Sequence, residues 1–231
     1  LFASLNSMLN AEFGLSLAET GLLVSMQLIG SIVSLIPWGI AADRFGERIV
    51  LLVGLAGSGV ALLAAGSTHT FGALAVLLGV AGAAGASVQS ASGRAVSHWF
   101  SPRQRGLALA IRQTAIPLSG FLVSLTLPLI GSVRWGFGAL GMAALAGAAV
   151  GGLVLREGPQ PDPAAVAALA PLRDRRLWRL SLGSSLVLAP QLCVVGFTVL
   201  LLHERRGLST SAAAAVLAVK QILAIGGRIG A

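Results

Sequence analysis

Charge is scarce in this sequence. Asp, Glu, Lys and Arg together make up 10% of its 231 residues, 55% are hydrophobic and mean hydropathy is +0.87. A water-soluble domain carries roughly 25% charged residues, so water is excluded as the main solvent of this chain. The scarcity is also patterned. No acidic or basic residue falls between Glu19 and Asp43, Arg48 and Arg94, Arg112 and Arg134, Arg134 and Arg156, or Arg179 and Glu204. The 23-residue stretch Thr20–Ala42 would reach roughly 35 Å as a helix, against a hydrocarbon core of about 30 Å. The Arg48–Arg94 gap is long enough for two such spans.

Cysteine is almost absent. Cys193, the one present, excludes an internal disulfide and reads as a small buried hydrophobe in an apolar run. Histidine is nearly as sparse: His69, His98 and His203 stand singly near span ends, without metal-ligand spacing or a nucleophile partner. Gly57-Ser58-Gly59 follows the apolar run Ile49–Val53, but Leu62 stands where a dinucleotide loop needs its third glycine, and no βαβ pattern surrounds it. No enzyme activity and no cofactor are expected. Leu1 is not preceded by methionine or a basic segment, so no signal peptide is read, and both ends are expected to be truncations.

What is present is a succession of apolar runs. The expected spans are a partial one at Leu1–Asn10, then Leu17–Ala42, Ile49–Gly66, Phe71–Ser92, Gly106–Ile130, Arg134–Leu155 and Leu177–Leu202. An eighth begins near Ser211. Short polar stretches separate them, at Asn10–Ser16, Asp43–Arg48, Ser67–Thr70, Ser101–Gly106, Gly131–Val133 and Glu204–Thr210. The formal charge of +8 sits in small clusters between the runs, a pattern that argues for membrane orientation and against a nucleic-acid partner. Arg44, Arg48, Arg94, Arg103, Arg105, Arg156, Arg173, Arg175, Arg176 and Arg179 fall on one side of the expected topology. Only Arg134, Arg205 and Arg206 fall on the other, so the side with ten is expected to be cytoplasmic.

The stretch Arg156–Arg176 contains Pro159, Pro161, Pro163 and Pro171 with seven charges, which is too polar for lipid. The expected organisation is an N-terminal six-helix bundle at 1–155 with its first helix truncated, a cytoplasmic linker at 156–176, and the start of a second bundle at 177–231. A weak repeat agrees with it. Gly14-Leu15-Ser16 recurs as Gly207-Leu208-Ser209, and the same offset of 193 residues aligns Gln27 with Lys220. Small residues at four-residue spacing, Ala75, Gly79, Ala83 and Ser87, are the kind that let membrane helices pack closely. Pro37, Pro117, Pro128 and Pro190 permit bends.

Between the second and third spans stands Gly39-Ile40-Ala41-Ala42-Asp43-Arg44-Phe45-Gly46-Glu47-Arg48. Here the chain resembles the major facilitator superfamily, which carries a Gly-x-x-x-Asp-Arg-x-Gly-x-Arg/Lys signature in this loop; Gly39, Asp43, Arg44, Gly46 and Arg48 match. Glu47 stands where a basic residue is often found. The resemblance, which extends over the whole chain through helix order and linker, implies the N-terminal part of a prokaryotic-type transporter. The fold would be an all-α membrane bundle with about eight helices visible here and twelve in the full-length protein. It would work by alternating access, with Asp43, Arg44 and Arg48 in a cytoplasmic gate. Gly39 would let two helices approach and Gly46 would allow a tight turn. In the fifth span, Pro117 and Gly120 are similar to part of the Gly-Pro-x-x-Gly signature of facilitator antiporters, but Ile116 replaces its first glycine. The fourth span lacks the membrane arginine of many proton-coupled drug exporters.

Ionisable residues inside spans are functional candidates, because an unpaired charge there costs several kcal/mol. Lys220 lies about 14 residues, or roughly 21 Å, along its helix from Arg206, and Arg112 about 7 residues, or roughly 10 Å, beyond Arg105. Arg228 follows Lys220 by two turns. All eight acidic residues, Glu12, Glu19, Asp43, Glu47, Glu157, Asp162, Asp174 and Glu204, fall in loops or at span ends, which leaves a positive interior. The expected ligands of a small organic or inorganic anion are therefore Gln27, Arg112, Gln113, Lys220, Gln221 and Arg228. Besides that solute, the expected partners are the lipid bilayer and a coupling proton, and the expected location is the cell membrane. The alternatives are a proton-coupled efflux antiporter and, from another class, a membrane channel or receptor.

Overall fold

The computed structural model describes residues 14–130, 132–155 and 174–186, together with Val216, Val219 and Leu223. Its elements are α1 (Leu17–Phe45), α2 (Glu47–Ser67), α3 (Phe71–Trp99), α4 (Arg105–Gln113), α5 (Ala115–Ile130) and α6 (Val133–Val154). Residues 175–186 are also helical, and no strand occurs among the described residues. Four helices, α1, α2, α3 and α6, are long and apolar enough to cross a bilayer. The expected span Leu1–Asn10, all but the last three residues of the linker, and most of the seventh and eighth spans lie outside the described residues.

Each helix begins or ends where local chemistry requires. Ser16 caps α1 in a capping box: its backbone N–H donates to the Glu19 carboxylate at 2.8 Å, and its hydroxyl accepts from the Glu19 N–H at 3.3 Å. At the other end of α1 the expected loop Asp43–Arg48 contracts to one residue, because α1 continues through Phe45 and α2 starts at Glu47. Gly46 alone makes the reversal, with φ +84° and ψ 163°, a backbone region essentially reserved for glycine. Gly46→Ala is expected to destabilise the protein by about 1–3 kcal/mol, read as a lower melting temperature in detergent. A parent-like melt would mean that the turn tolerates another backbone conformation.

The fifth expected span, Gly106–Ile130, is not one helix. It breaks at Thr114 into α4 and α5. Pro117 has no N–H to donate to the Gln113 carbonyl, and its ring crowds that carbonyl, which ends α4 one turn upstream. The Thr114 N–H closes the last turn onto Ala110 O and Ile111 O, and the Thr114 hydroxyl donates to Ile111 O. The fourth span is longer than charge alone suggested. It runs through Arg94 and His98 to Trp99 instead of stopping at Ser92, because both of these polar side chains find partners on neighbouring helices.

The helices do not pack in chain order. α3 lies against both α1 and α2, and α2 against α6, whereas α1 and α2 scarcely touch. Leu15, Leu23, Ala65, Leu74, Leu78 and Val133 form one core at the far end from Gly46. Ala42, Val50, Leu51 and Ala91 form a second at the Gly46 end. The expected small-residue ridge of α3 serves two neighbours. Gly79 and Ala83 face α1, while Ser87 fills a notch at Gly54 of α2.

Between α1 and α3 the adhesive is polar. Ser31 donates to Gly82 O (3.0 Å), Ser34 and Trp38 both donate to Ala83 O (2.8 and 2.7 Å), and Ser90 donates back to Leu35 O (3.1 Å). Such bonds need the two backbones close together, and Gly30 and Gly82 supply the space. A Cβ at Gly82 would lie 2.1 Å from Gln27 O, and one at Gly30 would lie 2.1 Å from Gly79 O.

Candidate functional site

Two groups of polar side chains stand out among the apolar helices. The first surrounds Gly46. Because that turn is so tight, it sets Asp43 in the last turn of α1 and Glu47 in the first turn of α2 beside the end of α3. Arg94 Nη1 lies 2.5 Å from Asp43 Oδ1, and Arg94 Nε lies 3.2 Å from Glu47 Oε1 in an ionic contact without hydrogen-bond alignment. His98, one turn further along α3, places Nδ1 2.8 Å from the same Glu47 oxygen. The side chain of Glu47 is only 5% exposed and that of Arg94 12%, so both charges depend on each other for solvation; Asp43, at 40%, keeps contact with the surroundings. Arg48 points elsewhere and donates from Nε to Gly152 O at the C-terminal end of α6, where the helix dipole favours a cation. Arg44 is exposed and lies over the Phe45 ring at 5.5 Å.

The second group lies further along α3 from the Gly46 end, where α4 meets α3. Arg112, in the last turn of α4, donates from Nε to Ser92 Oγ (2.7 Å) and from Nη2 to both Gln89 O (3.1 Å) and Gln89 Oε1 (2.5 Å). Gln89 is ten residues, about 15 Å, from the Trp99 end of α3, which puts it well inside a bilayer-length helix. All of these partners are neutral. The described carboxylates are engaged elsewhere: Glu19 at its cap, Asp43 and Glu47 around Arg94, and Asp174 with the Arg176 N–H. Among the described residues no carboxylate therefore meets the guanidinium, which lies half-buried against α3.

This set of helices, with its charged reversal at Gly46, corresponds to a known family. The model of the Major Facilitator Superfamily matches residues 1–231. The chain belongs to the Major Facilitator Superfamily. Two proteins of Mycobacterium tuberculosis, from strains CDC 1551 / Oshkosh and H37Rv, each named an uncharacterized MFS-type transporter, are 37% identical to it over 222 residues. The match covers 94% of this chain and 50% of theirs, so the chain spans about half the length of the curated relatives it matches. The crystal structure of a D-xylose–proton symporter shares the fold, with a TM-score of 0.60 at 18% identity; the match covers 97% of this chain and 61% of that one.

The superfamily's loop signature occupies the reversal around Gly46, but its charges do not pair among themselves. Asp43 bonds to Arg94 of α3, a residue that the expected end of the fourth span at Ser92 left in a loop. Glu47 and His98 were also outside the expected site. The readable signal was the four-residue spacing of Arg94 and His98, which puts them on one helical face. Gly39 behaves differently from Gly46. A Cβ there meets no heavy atom within 4 Å, so the helix approach expected of it is not made among the described residues.

Of the expected ligands, Gln27 and Arg112 both approach α3, at Gly82 and at Gln89. Those positions are seven residues, or about 10 Å, apart along the helix, and Gln27 and Arg112 share no bond. Gln113 is exposed at the end of α4. Lys220, Gln221 and Arg228 lie outside the described residues. Among the described residues no group of His, Cys, Asp and Glu could hold a metal ion.

Proposed function

We propose that the full-length protein is an alternating-access transporter of a small organic or inorganic anion, carried through the cell membrane between two helical bundles. One observation carries this reading. Arg112, half-buried against α3, bonds only to neutral acceptors among the described residues, and a positive charge at membrane depth without a carboxylate partner attracts anions and repels cations. Arg112, Gln27 and Gln113 line the site from residues 1–155, and Lys220, Gln221 and Arg228 complete it from residues 177–231. The residues at 156–176 form a cytoplasmic linker. The Gly46 end is the cytoplasmic gate, in which the Asp43–Arg94 and Glu47–His98 contacts break and reform.

Reconstituted in proteoliposomes, the full-length protein is expected to show saturable anion uptake with counterflow. Arg112→Gln is expected to weaken apparent anion affinity tenfold or more, equivalent to at least about 1.4 kcal/mol. Equal affinity in the variant, or uptake confined to cations, would overturn the reading. Linear, non-saturating current would instead indicate a channel. A proton-coupled efflux antiporter is the second reading, favoured by the helix break at Thr114 beside Pro117 and Gly120.

A further inference from the structure

Arginine only donates hydrogen bonds, so the Gln89 side-chain atom that faces Arg112 Nη2 at 2.5 Å must be the amide oxygen. This fixes the amide. Its nitrogen, with two N–H groups, is the other branch of the amide and takes no part in that bond, on an exposed side chain. Ser92 is committed as well, because its hydroxyl accepts from Arg112 Nε and donates to the Val88 carbonyl. Among the described residues, neither Gln89 Nε2 nor Arg112 Nη1 makes a hydrogen bond. The two side-chain acceptors that meet the guanidinium are engaged, which leaves N–H donors on two neighbouring side chains.

A neutral polyol needs both donors and acceptors, and a cation needs acceptors. A pair of donors on neighbouring side chains, one of them charged, suits an oxyanion, whose oxygens only accept. We infer that Gln89 is a direct ligand of the transported anion, its amide N–H acting beside Arg112 Nη1 on the oxygens of one small oxyanion such as a carboxylate. The inference rests on the anion reading above. It adds a residue that carries no charge and gives α3 a part in substrate selection. Gln89 thus has two roles on opposite ends of one amide: its oxygen orients Arg112, and its nitrogen binds the anion.

Gln89→Glu separates those roles. The carboxylate keeps an acceptor for Arg112, so the tether between α3 and α4 survives, but both donors become acceptors that also neutralise the guanidinium. Binding to the purified full-length protein is to be measured with acetate, nitrate and inorganic phosphate as probes, through anion-dependent thermal stabilisation. The expected result is at least a tenfold loss of affinity in Gln89→Glu for whichever probe stabilises the parent, with the melting temperature without anion retained. Gln89→Met removes the donors without adding charge and is expected to lose affinity severalfold, which keeps the test decisive should Gln89→Glu fail to fold. Parent-like affinity in the folded variants would overturn the assignment of Gln89 and leave Arg112 as the anion ligand. A parent that none of the three probes stabilises, and that takes up no anion in proteoliposomes, would overturn the anion reading and this assignment with it.

Discussion

Arg94→Met is expected to lower stability by about 3 kcal/mol or more, the lower end of the range for breaking a buried ion pair by removing one partner. The cause is the residue left behind. Glu47 is almost fully enclosed, and without Arg94 its carboxylate retains only the His98 contact, while Asp43 can turn to solvent. The loss should therefore belong to Glu47, and the double variant Arg94→Met/Glu47→Gln should recover most of it, because an amide is far cheaper to bury than an orphaned charge. Thermal melts of parent, single and double variants in the same detergent check this. A single variant that melts like the parent, or a double variant no better than the single, would mean that the pair does not hold the turn together.

Gly82→Val should be at least as damaging. Its Cβ would lie 2.1 Å from the Gln27 carbonyl oxygen, where even a close C–H···O contact is about 3.3 Å, and the obstacle is backbone that no rotamer change can move. α1 and α3 would have to separate by about an ångström. That stretches the bonds from Ser31, Ser34, Trp38 and Ser90 together. Overpacking of 1–3 kcal/mol plus about 0.6 kcal/mol for each weakened interhelical bond gives a total loss of at least about 3 kcal/mol. Gly72→Ala is the matched control, since a Cβ there meets nothing within 4 Å. Folded yield and melting temperature should fall sharply for Gly82→Val and stay near parent for Gly72→Ala; equal behaviour of the two would refute the close packing of α1 on α3.

The second, third, fourth and sixth expected spans were legible because a bilayer-crossing helix excludes charge, so the gaps between ionisable residues draw their own boundaries. The same rule misled wherever a charge was paired. Arg94 and His98 look like the start of a loop, yet both lie inside α3, since Asp43 and Glu47 meet them there. Pro117 announced a bend, but only the freed Gln113 carbonyl and the Thr114 hydrogen bonds locate the break. Gln89 was missed for a different reason. A neutral amide in an apolar run has no distinguishing signal until a neighbour on another helix fixes which end faces outward. Arg112, by contrast, declared itself through charge alone.

The exchange of neighbours in this bundle also bears on the order in which it is made. α1 and α2 leave the ribosome before α3, joined by a single residue, yet the place beside each of them belongs to α3. A hairpin that zipped shut on emerging would bury the grooves at Gly30 and Gly54 that α3 must enter. With Gly46 as their joint, α1 and α2 stand far enough apart in the finished bundle to leave that slot for α3.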